Sequence, residues 1–571
     1  MLNQNLNIFS HRSEFVKQIS LSEDLYTIEY SRDGFPTAVR NSDRQWLESR
    51  YSPVTEAKRW IENQKFESSD LPLILGFSPA ILSALKRRPV VVVERDASML
   101  KAYLDKVELT SQLSGVTLLL DEDGFDTMSA LRNAFDPFRH LRIKPALVPL
   151  YASLNDKWAH SIVTTALKVQ REVSLNALSY SYQLPLWTKT VRKNMSEWIN
   201  SPEASFLEGI LKDKTAVIVC AGPSLEKNIN YLKLFRGKAA IIAVDTALRR
   251  LDRAGIMPDI AVAVDANEHN AKDVRGLSKE MLNSILIADT ISAPAIVQAF
   301  KGPKAFLRCI NFSLDLDGKP LPLSFPLDNL ILEIIGREFL PSWQSGGSVS
   351  TNAFALAGIM KAKRVIFAGQ DLAFTGKKTH VAGVAYEDDM TEMISRFSSR
   401  ESQEFKLHAG DEVFVEAWDG AKVQTNSTMR EYLGWFELTI ERGFAKGLEV
   451  IDATEGGAKK NGMIPMKLRD AAELCGSERF DVESLRARMK STRPLGNHGW
   501  EKRFSNLIER AKKLSGKPDE ILEKCPMAKW LALPAFIGSK DFSESERKSL
   551  IESGLISAIE FLIRVGEGLE H

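Results

Sequence analysis

The stretch Ala216-Val-Ile-Val-Cys-Ala-Gly-Pro-Ser-Leu225 decides how the rest of the chain is read. Its unbroken apolar run, Ala216 to Cys220, suits a strand covered on both faces. The run ends in a turn that starts a helix. There Gly222 lets the backbone approach a ligand closely, and Pro223 pre-sets the first helical φ. The helix that follows would point its N-terminal amides beyond the strand end, where an anion is the favoured occupant. The same turn is also simply a good helix start.

The pattern repeats downstream. Apolar strands are expected at Ala239–Val244, Ile260–Val264, Ser284–Ala288 and Arg364–Ala368, with helices such as Leu225–Phe235 and Thr246–Ala254 between them, the latter stopped by Gly255. This alternation predicts βαβ units and a parallel sheet. Upstream, Leu71-Pro-Leu-Ile-Leu-Gly76 and Val90-Val-Val-Val-Glu94 flank a short helical segment, Ile81–Leu85, and predict a second sheet of the same kind. Gly76-Phe-Ser-Pro79 stands where a dinucleotide fold carries three spaced glycines. Glu94 lies where a ribose-binding acid would follow, but without the phosphate loop this domain reads as a non-catalytic Rossmann-like scaffold.

Trp187–Lys212 reads as a helical connector, and beyond Lys467 strand signals give way to 3.6-periodic stretches at Val482–Lys490, Trp500–Leu514 and Ser543–Arg564. The expected fold is therefore α/β, with two Rossmann-like parallel-sheet domains followed by an α-helical one. The expected boundaries are residues 1–190, 191–466 and 467–571. At one domain per ~100–200 residues, three suit a chain of 571.

Composition narrows the function. With 44% apolar and 26% charged residues the chain is an ordinary globular protein, and 75 Lys and Arg against 74 Asp and Glu leave no basic excess to attract nucleic acid. No stretch reaches the ~20 apolar residues of a membrane span, and the polar opening Met1–Arg12 lacks a signal-peptide core, so a cytoplasmic location is expected. Cys220, Cys309, Cys475 and Cys525 are too widely spaced for a zinc knuckle or a redox pair and read as thiols.

In an open parallel sheet, ligands bind beyond the carboxyl ends of the strands. Asp245, Asp265, Asp289 and Asp371 all fall there. One such Asp is usually a turn cap. Four aimed at one mouth indicate binding, because their repulsion must be answered by ligand hydroxyls, donors or cations. On this reading, replacing Asp265 or Asp371 should spare folding. Asp265-Ala-Asn267 approaches an Asp-x-Asp metal motif, but Asn267 is neutral; no metal or cofactor is assigned, and metal dependence stays open. Ser345-Gly-Gly-Ser348 opens a helix, Val349–Met360, making Gly347 and Ser348 further candidates. Gly369-Gln-Asp-Leu-Ala373 adds Gly369 and Gln370 and leads through Thr375-Gly-Lys-Lys-Thr to His380, a more plausible catalytic imidazole than His269. Asp452-Ala-Thr-Glu-Gly-Gly457, after a strand at Leu448–Ile451, adds Thr454, Glu455 and Gly456 to Gly222, Pro223 and Ser224.

In this order these pieces resemble the motility-associated factor (Maf) glycosyltransferases that modify bacterial flagellins. The segments that carry the resemblance are Ala221-Gly-Pro-Ser-Leu225, Asp245-Thr-Ala-Leu248, Gly255-Ile-Met-Pro-Asp259 leading to Asp265, Gly346-Gly-Ser348, Gly369 through His380, and Ala453-Thr-Glu-Gly-Gly457. Ser49-Arg-Tyr-Ser-Pro-Val-Thr-Glu-Ala57 looks like the segment before that family's degenerate Rossmann-like domain. The chain departs from the family pattern at Cys220, where a glycine stands, and at Asp452, where an asparagine stands. The resemblance implies a central domain similar to GT-A-like sialyltransferases and a donor in which cytidine monophosphate (CMP) carries a nonulosonic acid, pseudaminic or legionaminic. It further implies flagellin Ser or Thr as acceptor and a role in flagellum assembly and motility. His380 would then be the base, with Asp371 orienting it or serving as base itself, and the C-terminal helices would bind the acceptor. The same domain type is similar to an archaeal 6-hydroxymethylpterin diphosphokinase. Pterin diphosphokinase chemistry and a non-catalytic flagellin chaperone are therefore the competing readings.

Overall fold

The computed structural model describes residues 13–503 other than 87–88, 121–124, 137–139, 152–156, 310–311, 315–319, most of 323–345 and 397–412, 442–446 and 500–501. It divides into two compact units, the first built on Met1–Gln183 and the second on Leu184–Asn311 and Ser324–Gly516.

In the first unit, β1 (Tyr26–Tyr30) and β2 (Pro36–Arg40) form an antiparallel ribbon. Then β3 (Asp70–Leu75), β4 (Val90–Glu94), β5 (Val116–Leu120) and β6 (Arg142–Leu147) form a parallel sheet in the order β5-β4-β3-β6. The two central strands are buried at every residue, which is why their apolar runs were legible. By contrast β6, Arg-Ile-Lys-Pro-Ala-Leu, carries a proline and two cations and does not read as a strand. It lies at the sheet edge, where a missing N–H is tolerated, and Arg142 Nε donates to Asp70 of β3 at 2.6 Å.

The second unit contains β7 (Thr215–Val219), β8 (Ala240–Val244), β9 (Ile260–Ala263), β10 (Ile285–Asp289) and β11 (Lys304–Cys309). After them come β12 (Phe312–Leu314) and β13 (Pro320–Pro322), a small antiparallel pair grouped with the first unit. The second unit resumes with β14 (Ser342–Trp343), β15 (Arg364–Ala368), the hairpin β16 (Val413–Glu416) and β17 (Lys422–Thr425), β18 (Glu449–Asp452) and β19 (Ile464–Pro465). Nine of these build one sheet in the order β14-β11-β10-β9-β8-β7-β15-β18-β19, with every pair parallel. The expected α/β class with two parallel sheets is the observed one. The connecting helices are tighter than expected: Leu225–Asn228 continues as a 3₁₀ stretch to Phe235, and Asp245–Ala247 is 3₁₀ before Leu248–Arg253.

A helix of 43 residues, Lys157–Ile199, spans much of the expected connector and the segment before it. Among the described residues no helix is long and apolar enough to cross a membrane, and Cys220, Cys309 and Cys475 form no disulfide. Of the C-terminal helices, Val482–Ser491 is observed. The stretch expected at Ser543–Arg564, most of Trp500–Leu514, and Cys525 lie outside the described residues.

Candidate active site

From β7 the chain moves through β8, β9 and β10 in one direction, whereas β15 and β18 lie on the other side of β7. The reversal between β7 and β15 is a topological switch point, where open parallel sheets hold their ligands. Three loops meet there. The Gly222 N–H donates to Gly369 O at 2.8 Å, and a side chain at Gly222 would place its Cβ 2.0 Å from Asp371 Oδ1. Glycine is thus required for the β7 loop to close on Asp371. That carboxylate accepts from the Ser224 N–H at 3.2 Å, from Ser224 Oγ at 2.6 Å and from Thr375 Oγ1 at 2.5 Å. Asp371 O accepts from the Ala458 N–H of the β18 loop at 2.7 Å. Burial pushes the Asp371 carboxyl up, against the hydrogen bonds from Ser224 and Thr375. Asp371 therefore ties together the loops after β7, β15 and β18, and it shares no hydrogen bond with His380.

The loop carrying His380 is docked on the same point. The Val381 N–H donates to Ala221 O at 2.9 Å, Arg253 packs against Gly383, and Arg249 pairs with Asp388 at 2.5 Å. The His380 ring lies 5.2 Å from that of Tyr386, and its Nδ1 is buried without a hydrogen-bond partner. Burial lowers its pKa, so the imidazole is neutral at neutral pH.

The other strand-end carboxylates divide by what they touch. Asp289, ending β10, is saturated: it accepts from buried Arg308 Nη1 at 2.6 Å and from the N–H groups of Cys309 at 2.6 Å and Ile291 at 3.0 Å. Asp265 is exposed, and its Oδ1 accepts from the Asn267 N–H at 2.9 Å, while Asn267 Oδ1 accepts from the His269 N–H at 3.0 Å. Asp-Ala-Asn is thus a capped turn. Asp245 is buried; one oxygen accepts from the Thr246 N–H at 2.9 Å and the other has no partner. Burial first, then the nearby carboxylates Asp273 and Asp265, push its pKa up to about 7. Among the described residues no group of three or more His, Cys, Asp or Glu is arranged to hold a metal ion.

Gly346 and Gly347 serve a purpose the sequence concealed. A Cβ at Gly346 would lie 2.4 Å from the Trp435 ring, and one at Gly347, whose φ is +92°, would lie 2.8 Å from Tyr432 Cε1. The turn is thus moulded on two aromatics of the helix Ser427–Glu441, spaced three apart on one face. Beyond it, Ser348 Oγ and Ser350 Oγ are 2.7 Å apart, and Ser350 Oγ accepts from Gln370 Nε2 at 3.0 Å. Gln370 N–H reaches Thr454 Oγ1 at 3.3 Å, and Glu455 accepts from Asn228 Nδ2 at 3.1 Å and the Leu468 N–H at 3.0 Å. A Cβ on Gly456 would stand 3.1 Å from that of Ser224.

Three features here were missed by sequence reading. Asp452 forms a buried ion pair with Lys460 at 2.9 Å, which answers the carboxylate's charge at the end of β18. Tyr432 and Trp435 had no signal beyond helical periodicity. The hairpin β16–β17 binds both flanking loops, through the Phe374 N–H to Gln424 O at 2.9 Å and the Trp418 N–H to Gly457 O at 2.9 Å.

No curated protein sequence matches this chain. Residues 189–377 match the family described as 6-hydroxymethylpterin diphosphokinase MptE-like. Among solved structures, one from Clostridium novyi, a putative tagatose-6-phosphate ketose/aldose isomerase, has 12% identity over 54% of this chain and 80% of its own, with a TM-score of 0.13 too low to carry an argument. A Maf glycosyltransferase from Magnetospirillum magneticum is similar over 100% of this chain and 96% of its own, with a TM-score of 0.59 at 13% identity. The resemblance carried by the short motifs thus extends to the fold of the whole chain, which is similar to that of a Maf glycosyltransferase.

Proposed function

We propose that this chain is a glycosyltransferase that moves a nonulosonic acid, of the pseudaminic or legionaminic type, from its CMP ester to Ser or Thr hydroxyls of flagellin in the cytoplasm. The observation that carries this reading is His380: a neutral imidazole with an uncommitted Nδ1, docked through Val381 on the loop at the switch point. In the transfer, the acceptor oxygen bonds to the anomeric carbon as the bond from that carbon to the phosphate oxygen breaks. The hydroxyl proton passes to His380, and the electron pair leaves with CMP. A base so placed typically contributes 10²–10⁴ in rate.

Asp371 acts as a positioning residue in this scheme, since its oxygens are taken by Ser224 and Thr375. The Gly222 and Ser224 amides are spent inside the loops. The charge developing on the phosphate is therefore met by the Val349 and Ser350 amides that open the helix Val349–Ile359, together with the one hydroxyl proton that the Ser348–Ser350 hydrogen bond leaves over. Asp245 offers its free oxygen to the donor. Residues beyond 467 are assigned to the acceptor.

The MptE-like match over 189–377 favours a second reading, diphosphoryl transfer from ATP to a pterin. Thermal melting separates the two, because a ligand that binds only the folded state raises the midpoint. CMP should stabilise the chain. Stabilisation by ATP with Mg²⁺ and none by CMP would replace the transferase with the kinase.

A further inference from the structure

The first unit has a switch point of its own. Its strand order β5-β4-β3-β6 reverses between β3 and β6, so a ligand of this sheet would lie beyond their carboxyl ends, over the Gly76-Phe77 turn. That position is filled from within. Glu94, the last residue of β4, is 0% exposed and reaches across to it. One carboxylate oxygen accepts from the Phe77 N–H at 2.7 Å. The other accepts from the N–H groups of Arg95 at 2.7 Å and Asp96 at 2.9 Å and from the Tyr151 hydroxyl at 2.5 Å. Tyr151 follows β6, and the Arg95 guanidinium lies 4.8 Å from the centre of its ring and 5.2 Å from that of Trp158. Three amides and a phenol thus converge on one oxyanion, with a cation close by. Convergent backbone amides are what nucleotide-binding sheets present to phosphate.

Gly76 supports the same reading. Its φ is +106°, and a Cβ there would lie 2.2 Å from Val148 and 2.8 Å from Tyr151. The glycine lets the β3 and β6 ends close on each other, where in a dinucleotide site it would admit a phosphate. We propose that the first unit retains an oxyanion site at its switch point and that Glu94 is its built-in occupant. The sheet is a closed scaffold, and it accepts a free carboxylate only when its own is removed. Burial pushes the Glu94 carboxyl up, while the four hydrogen bonds oppose that shift. This inference is independent of the chemistry assigned to the second unit.

The test uses the full chain with Glu94→Ala and Glu94→Gln, melted in sodium formate and in sodium chloride at equal ionic strength. Glu94→Ala should melt below the parent, and formate should raise its midpoint saturably. The parent and Glu94→Gln, whose site is filled, should melt identically in the two salts. An unchanged midpoint for Glu94→Ala in formate would overturn the proposal. Should Glu94→Ala not fold, hydrogen exchange on the parent decides. NAD, ATP or CMP should slow exchange across Gly76–Ser78 no more than across Val217–Val219 of the second unit, and a slowing confined to Gly76–Ser78 would show an open nucleotide site.

Discussion

Ser224 and Asp371, 147 residues apart in sequence, are joined at the switch point by a hydroxyl-to-carboxylate hydrogen bond of 2.6 Å, and the Ser224 amide donates to the same carboxylate. This contradicts the expectation that removing Asp371 relieves charge repulsion at no cost. Asp371→Ala would leave two hydroxyls and an amide without their acceptor in a buried site. Hydrogen bonds to a charged group are worth about 1.5–3 kcal/mol each, so urea unfolding should show a loss of at least about 2 kcal/mol. Ser224→Ala, which removes one donor, should cost less. Exposed Asp265 does fit that expectation, and Asp265→Ala should stay near the parent's stability.

Asp245 should make stability fall as the pH rises. Its carboxyl is held up to about 7 in the folded chain against the ordinary 3.8, so the fold favours the protonated form. The associated stability is present below about pH 4 and is lost as pH rises through about 7. Asp245→Asn, which cannot ionise, should therefore gain on the parent between pH 5 and pH 8. Melting midpoints compared across that range check this; a constant difference would mean that Asp245 does not titrate there.

The Asp452–Lys460 pair predicts a rescue. Both side chains are buried, so Lys460→Ala leaves a lone charge and should cost about 3–5 kcal/mol in denaturant unfolding. Adding Asp452→Asn removes that charge and should restore much of the loss, which a double-mutant cycle would measure as strong coupling.

Gly347 should resist any side chain. With φ at +92° and Tyr432 only 2.8 Å from where a Cβ would stand, Gly347→Ala must displace the ring or the turn. CMP affinity should fall in Gly347→Ala and recover in part when Tyr432→Ala is added, as read by titration calorimetry.

How much of this was legible depended on what the signal was made of. Strands β3, β4, β7 and β8 are buried on both faces, and such burial writes itself as apolar runs such as Val90–Val93. The edge strand β6 and the hairpin β16–β17 are only partly buried and mix charges with apolar residues, so composition did not distinguish them from loops. At the site, topology placed the four aspartates at one mouth, but chain position cannot show what a carboxylate touches. Asp289 is bound to Arg308, Asp371 to Ser224, and Asp245 keeps a free oxygen. Tyr432 and Trp435 act through contacts with Gly347 and Gly346, distant in sequence, and Lys460 through Asp452 in its own loop, and no local pattern marks any of them.

Whether His380 takes the acceptor proton at the switch point is decided by intact-mass analysis of flagellin incubated with a CMP-nonulosonic acid. The parent chain should add discrete mass steps of one sugar. His380→Gln should lose 10²–10⁴ in rate while keeping its thermal stabilisation by CMP, because the variant removes the base and not the donor site. Parent activity should also decline as the pH is lowered through the depressed imidazole pKa. Flagellin modified at the parent's rate by His380→Gln, or left unmodified by the parent itself, would refute the assignment of His380 as the base of a flagellin glycosyltransferase.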